Sequence, residues 1–80
     1  MSTRRVSNIS LKDFRLFLQS VGCNKTSVKG GHEKWTRKDL RRPFTIQTHI
    51  DPVPEFIVRQ ILRSLNLTKE ECIEIIEGKD

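Results

Sequence analysis

Apolar residues recur at helical spacing near both ends of the chain and alternate with polar ones between. Phe14, Phe17, Leu18 and Val21 form one stripe, as on the buried face of an amphipathic helix. Ser10 precedes it with Asp13 three positions later, an N-cap pattern, and Gly22 stands where a helix is commonly stopped. Residues 23–29, with Thr26 and Val28, predict a weak first strand, and Lys29-Gly30-Gly31 predicts a turn. Residues 32–37 predict a second strand. The basic stretch 38–42, closed by Pro43, is a loop. Residues 44–49 alternate cleanly and predict a third strand. Two prolines then exclude a continuing strand over 50–54, and Pro54 suits a helix start. Phe56, Ile57, Ile61, Leu62 and Leu65 give a second helical stripe ending near Asn66. Thr68 with Glu71 forms a second capping pattern, opening a short helix that carries Cys72, Ile73, Ile75 and Ile76 as far as Gly78.

The order helix, three strands, helix, helix predicts an α+β domain. Three strands joined by short turns form an antiparallel meander, which needs one face covered. The two longer helices are expected side by side on that face, leaving the other open. Side chains alternate across a strand, so Trp35, the largest apolar group of the second strand, fixes its orientation. Trp35 then faces the helices together with Glu33 and Arg37, while His32, Lys34 and Thr36 face solvent. On the third strand Phe44 and Ile46 go to the core, and Thr45, Gln47 and His49 to the open face. A β-bulge in either strand would invert this assignment.

Size and charge narrow what such a face can do. Eighty residues make one domain, in which about 60% of the unfolded surface is buried. That leaves no room for a deep cleft, so the expected ligand is a polymer lying across a face. Residues 1–50 hold eleven Lys/Arg against three Asp/Glu, a net of +8, and residues 51–80 hold four against seven, a net of −3. One basic face fits a polyanion such as nucleic acid, although the same charge could serve solubility alone. Residues 1–7 look like a basic tail. Cys23 and Cys72 lack metal-type or redox-type spacing and are expected as two buried thiols in a reducing compartment. The N-terminus lacks the apolar core of a signal peptide, and no apolar run is long enough to span a membrane.

The open face brings candidate chemistry with it. Imidazole titrates near neutrality and is the usual protein acid/base. RNA cleavage needs a base for the 2′-hydroxyl, an acid for the leaving oxygen and cations for the charge that develops on phosphorus. One or two histidines with Lys or Arg nearby can provide all three without a metal. Gly30 and Gly31, lacking side chains, would let a phosphate backbone approach His32 closely. A metal site built from His32, His49, Cys23 and Cys72 matches no zinc spacing. Trp35 could stack on a base, but a small core has more use for it.

An N-terminal helix ending in glycine, a strand with Lys29 leading to Gly30-Gly31-His32, a basic turn, a strand closing on His49, and helices carrying Ile61-Leu62-Arg63 and then Leu67-Thr68 occur in that order over 10–77. This set resembles the HicA (YcfA-like) family of mRNA interferase toxins. The resemblance implies a fold like the double-stranded-RNA-binding domain, with a metal-independent, growth-arresting endoribonuclease activity on mRNA. It implies His32 as the catalytic residue, no cofactor, a cytoplasmic setting and a HicB-type antitoxin as protein partner. Lys29, Gly30, Gly31, Lys34 and Arg37 would then contact RNA. Two departures stand out: Gly31 replaces the family's usual Ser or Thr before the histidine, and Gln47-Thr48 replaces a Pro-containing element before His49. A non-catalytic RNA-binding module on the same fold and a protein-interaction domain with a basic docking face are the competing expectations.

Overall fold

The computed structural model describes residues 8–78, so the stretch read as a tail, 1–7, lies outside the described residues. Helix α1 spans Leu11–Ser20, with the Ser10 hydroxyl accepting a hydrogen bond from the Asp13 amide at 3.1 Å. A second cap comes from far away in sequence: the Leu11 amide donates to Asp51 Oδ1 at 3.0 Å. These bonds satisfy two of the amide donors that a helix N-terminus leaves over. Gly22 follows the last turn at φ +91°, a left-handed conformation that costs glycine little.

Strands β1 (Asn24–Lys29), β2 (His32–Thr36) and β3 (Phe44–Gln47) form an antiparallel sheet in that order. Gly30 and Gly31 make the two-residue loop between β1 and β2, and Gly30 takes φ +59°, as such tight hairpins demand. Helices α2 (Glu55–Leu65) and α3 (Lys69–Glu77) follow. Asn66 ends α2 in the left-handed conformation, and a complete capping box between Thr68 and Glu71 begins α3. The architecture is thus α+β in the expected order.

The core lies between one sheet face and the helices. It gathers Phe14, Phe17 and Leu18 from α1, Trp35 and Ile46 from the sheet, Val58, Ile61, Leu62 and Leu65 from α2, and Cys72 from α3. The rings of Phe14 and Phe17 stack with centroids 5.8 Å apart. The helix layer differs from the expected side-by-side pair, because α3 packs against both α1 and α2. Strand β1 is exposed along its whole length, Val28 included, so its weak apolar signal reflects a strand that contributes nothing to the core.

Cys23 and Cys72 are buried and unpaired. Burial raises the pKa of both thiols, that of Cys72 to about 11. Because the thiolate is the reactive form, Cys72 in the native protein should react with a disulfide reagent at pH 8 far more slowly than in denaturant. Equal rates in the two conditions would show that the thiol is neither enclosed nor desolvated as described.

Candidate nucleic-acid interface

Cross-strand pairing builds the open face row by row. His32 pairs with Lys29 of β1 on one side and Gln47 of β3 on the other, while Lys34 pairs with Ser27 and Thr45. Opposed residues share a face. The imidazole of His32 therefore stands between a lysine and a carboxamide, with a second lysine two residues along its own strand. His32, Lys29, Gln47, Lys34, Ser27 and Thr45 are all exposed. The intervening residues face inward: Glu33 and Trp35 are 3% and 1% exposed.

The expected parity holds because the irregularity of the sheet falls elsewhere. The β1–β2 register shifts between Lys25 and Ser27, leaving Thr26 as the extra residue of a bulge. Its hydroxyl donates to the Lys34 carbonyl at 3.2 Å. The bulge takes Lys25 off the face that Ser27 and Lys29 occupy. Its Nζ reaches Glu33 Oε2 at 3.9 Å on the helix side.

Glu33 anchors β2 from beneath. Arg15 of α1 grips its carboxylate with two bonds, Nε to Oε1 at 3.2 Å and Nη2 to Oε2 at 2.6 Å. The indole Nε1 of Trp35 donates to Oε1 at 3.1 Å. Burial alone would raise the pKa of this carboxyl. Hydrogen bonds from Arg15 and Trp35, and the charges of Arg15 and Lys25, outweigh burial and hold it below its ordinary value. The group directly behind His32 is thus an ionised, fully engaged carboxylate that ties β2 to α1.

Arg37 does not join the face. It follows β2 on the helix side, where its guanidinium donates to both oxygens of Asp39 at 2.6 and 2.9 Å and to the carbonyls of Val21 and Leu65 at 3.3 and 3.0 Å. The expected RNA contact is instead a brace joining the ends of α1, β2 and α2. The hydrogen bond from Arg37 is also the main reason the Asp39 carboxyl sits below its ordinary pKa.

His49 is also displaced from its expected place. Strand β3 ends at Gln47, and the Thr48 amide donates to the Gly31 carbonyl at 2.7 Å as the chain turns away. The turn is what lets Asp51 cap α1 and Val53 bridge to Ile9. His49 consequently leaves the alternating pattern and folds over the β1–β2 loop. A Cβ at Gly31 would lie 3.1 Å from its Nδ1. The missing side chain at Gly31 makes room for this imidazole.

A pocket of about 330 Å³ opens beside His32, between β3 and the start of α2. Gln47 and Thr45 line it together with the apolar residues Ile50, Val53, Phe56 and Ile57. Phe56 was expected in the core stripe of its helix, yet it is 65% exposed. At 3.6 residues per turn it points about 200° away from Val58, which is the buried position. That offset was legible in the sequence, as was the pairing of Gln47's face with that of His32. A shallower hollow of about 410 Å³ between α2 and α3, lined by Arg59, Arg63 and Lys69 among others, contains none of the open-face residues.

The four metal-type residues do not converge, since Cys23 and Cys72 are buried and both histidines are exposed. Among the described residues no group of three His, Cys, Asp or Glu could hold a metal ion, and no helix is long and apolar enough to cross a membrane. The chain matches no protein-family model, no curated protein and no solved structure.

Proposed function

We propose that the protein is a small endoribonuclease of the HicA type, a cytoplasmic toxin that cleaves mRNA and is neutralised by a HicB-type antitoxin. The observation that carries this reading is the row Lys29–His32–Gln47, with Lys34 beside it, on an uncovered sheet face. In this reading His32 takes the proton of a ribose 2′-hydroxyl. The 2′-oxygen then forms a bond to phosphorus as the bond to the 5′-oxygen breaks, and the leaving oxygen is protonated by the His32 imidazolium, directly or through water, which returns the imidazole to its starting state. The products are a 2′,3′-cyclic phosphate and a 5′-hydroxyl end. Lys29 and Lys34 stabilise the charge on the phosphate oxygens, and Gly30, with open space around it, lets the backbone come close, whereas the space beside Gly31 is taken by His49. Arg37 acts only by holding the scaffold. His49, folded over Gly31, is available as a second imidazole at the edge of the site.

The antitoxin in this scheme lays acidic groups over the same face, which steers it there and keeps RNA away from His32. The acidic C-terminal third of the toxin lies outside that contact.

The chemistry gives a direct test. An RNA carrying a single 2′-deoxyribose at the scissile position should resist cleavage, and unmodified RNA should yield 5′-hydroxyl ends in EDTA. Cleavage of the deoxy substrate, or 5′-phosphate ends, would rule out attack by the internal nucleophile.

A further inference from the structure

We propose that the pocket between β3 and the start of α2 is a nucleobase subsite, taking one unpaired base of an RNA strand whose phosphates lie along Lys29, His32 and Lys34. This rests on the reading of the open face as an RNA surface and adds to it the place where a base is held.

Three large hydrophobic residues are exposed among the described residues, Val28, Ile50 and Phe56, and two of them line this one pocket. Core packing does not explain Phe56, because α2 buries its opposite side through Val58, Ile61, Leu62 and Leu65. The walls are mainly apolar, and the sheet adds polar groups to them: His32, Thr45 and Gln47 line the pocket beside Ile46. Gln47 belongs both to the pocket and to the cross-strand row of His32, so pocket and cationic row are continuous.

The occupant must therefore offer a negative charge beside a flat, apolar group with polar edges. Single-stranded nucleic acid presents that combination, since its unstacked bases lie on aromatic side chains and expose hydrogen-bonding edges. A duplex keeps its bases stacked inside and cannot fill the pocket. Phe56 supplies the stacking face, and the Gln47 carboxamide supplies one donor and one acceptor for the base edge. A carboxamide of this kind pairs in two-point fashion with adenine.

The test uses binding and cleavage separately. A 2′-fluoro RNA oligonucleotide lacks the internal nucleophile and reports binding alone. Removing its bases one at a time should reveal a position where an abasic residue weakens binding to the wild type by roughly 5- to 150-fold, the range found for base–aromatic stacking. Phe56→Ala should weaken the intact oligonucleotide by a similar factor, and the abasic change should then cost nothing more. Phe56→Trp should restore both the affinity and the abasic penalty. Phe56 is exposed, so the variants are expected to keep the fold, which far-ultraviolet circular dichroism and thermal melts check. If abasic penalties are the same in wild type and Phe56→Ala, the subsite is overturned. Cleavage of unmodified RNA without that coupling refutes the subsite and leaves the nuclease. Coupling without cleavage keeps the subsite and refutes the nuclease. Absence of RNA binding by the wild type refutes both.

Discussion

Arg15→Ala should destabilise the protein by about 3 kcal/mol, the low end of the cost of stripping a buried charge of its partner, because Arg15 is itself partly exposed and Glu33 keeps other partners. Small domains have total stabilities of roughly 5–15 kcal/mol, so this is a large share. The effect should be asymmetric. Removing Arg15 strands the Glu33 carboxylate, whose side chain is 4% exposed, with the Trp35 indole and Lys25 3.9 Å away as its remaining partners. Removing Glu33 instead strands a guanidinium whose side chain is 35% exposed and can turn to water. The loss there should be smaller, about 1–3 kcal/mol, set mainly by the indole donor left without its acceptor.

Acid should reveal the same interaction. The Glu33 carboxyl titrates lower in the folded protein than its ordinary value of 4.5. Its ionisation therefore stabilises the fold fully above that ordinary value, and this contribution is lost as pH falls through the lower folded value. Arg15→Ala should diminish or reverse this contribution. Urea melts of wild type, Arg15→Ala and Glu33→Ala between pH 3 and pH 7 measure all of this. Equal losses in the two variants, or an unchanged acid profile in Arg15→Ala, would mean that the pair does not anchor β2.

How much of this was legible in the sequence differs from residue to residue. Alternation about Trp35 placed His32 and Lys34 on one side of β2 and Glu33 on the other, because burying the indole fixes the parity of the whole strand. The same alternation could not supply Arg15, which lies 18 positions away on another element. The bulge at Thr26 was equally hidden, since no residue there signals one, and with it the reassignment of Lys25 to Glu33. Arg37 is an expected RNA contact, since the sequence shows its charge and not its partners. Its real partners, Asp39 and two helix-end carbonyls, are brought together by the tertiary fold. His49 continued a polar/apolar alternation that local pattern alone would extend. The strand stops because Asp51 and Val53 are needed at the start of α1, a demand made at a distance of about forty residues. Phe56 is the opposite case: at 3.6 residues per turn its position relative to Ile61, Leu62 and Leu65 lies off their stripe, so its exposure is legible in the periodicity itself.

His32→Ala should lower the rate of RNA cleavage by about 10²–10⁴-fold, the range over which a positioned acid/base accelerates such reactions, and should abolish growth arrest in cells. The fold has little reason to change. His32 is exposed, β2 is held from its inner face by Glu33 and Trp35, and surface substitutions usually stay within about 0.5 kcal/mol. Binding has little reason to change either, because the phosphate contacts assigned to Lys29 and Lys34 remain. The expected signature is thus a protein that melts like the wild type, binds 2′-fluoro RNA within a few-fold of it, and cuts about 10²–10⁴-fold more slowly. Lys34→Ala gives the complementary case, since loss of a phosphate cation should reduce both affinity and rate. It should also reduce the salt dependence of binding, because each neutralised phosphate releases bound counterions. Unfolding, binding and cleavage measured on the same preparations separate these possibilities. A folded His32→Ala protein that cuts at the wild-type rate would remove the imidazole from the reaction and leave the open face as a binding surface.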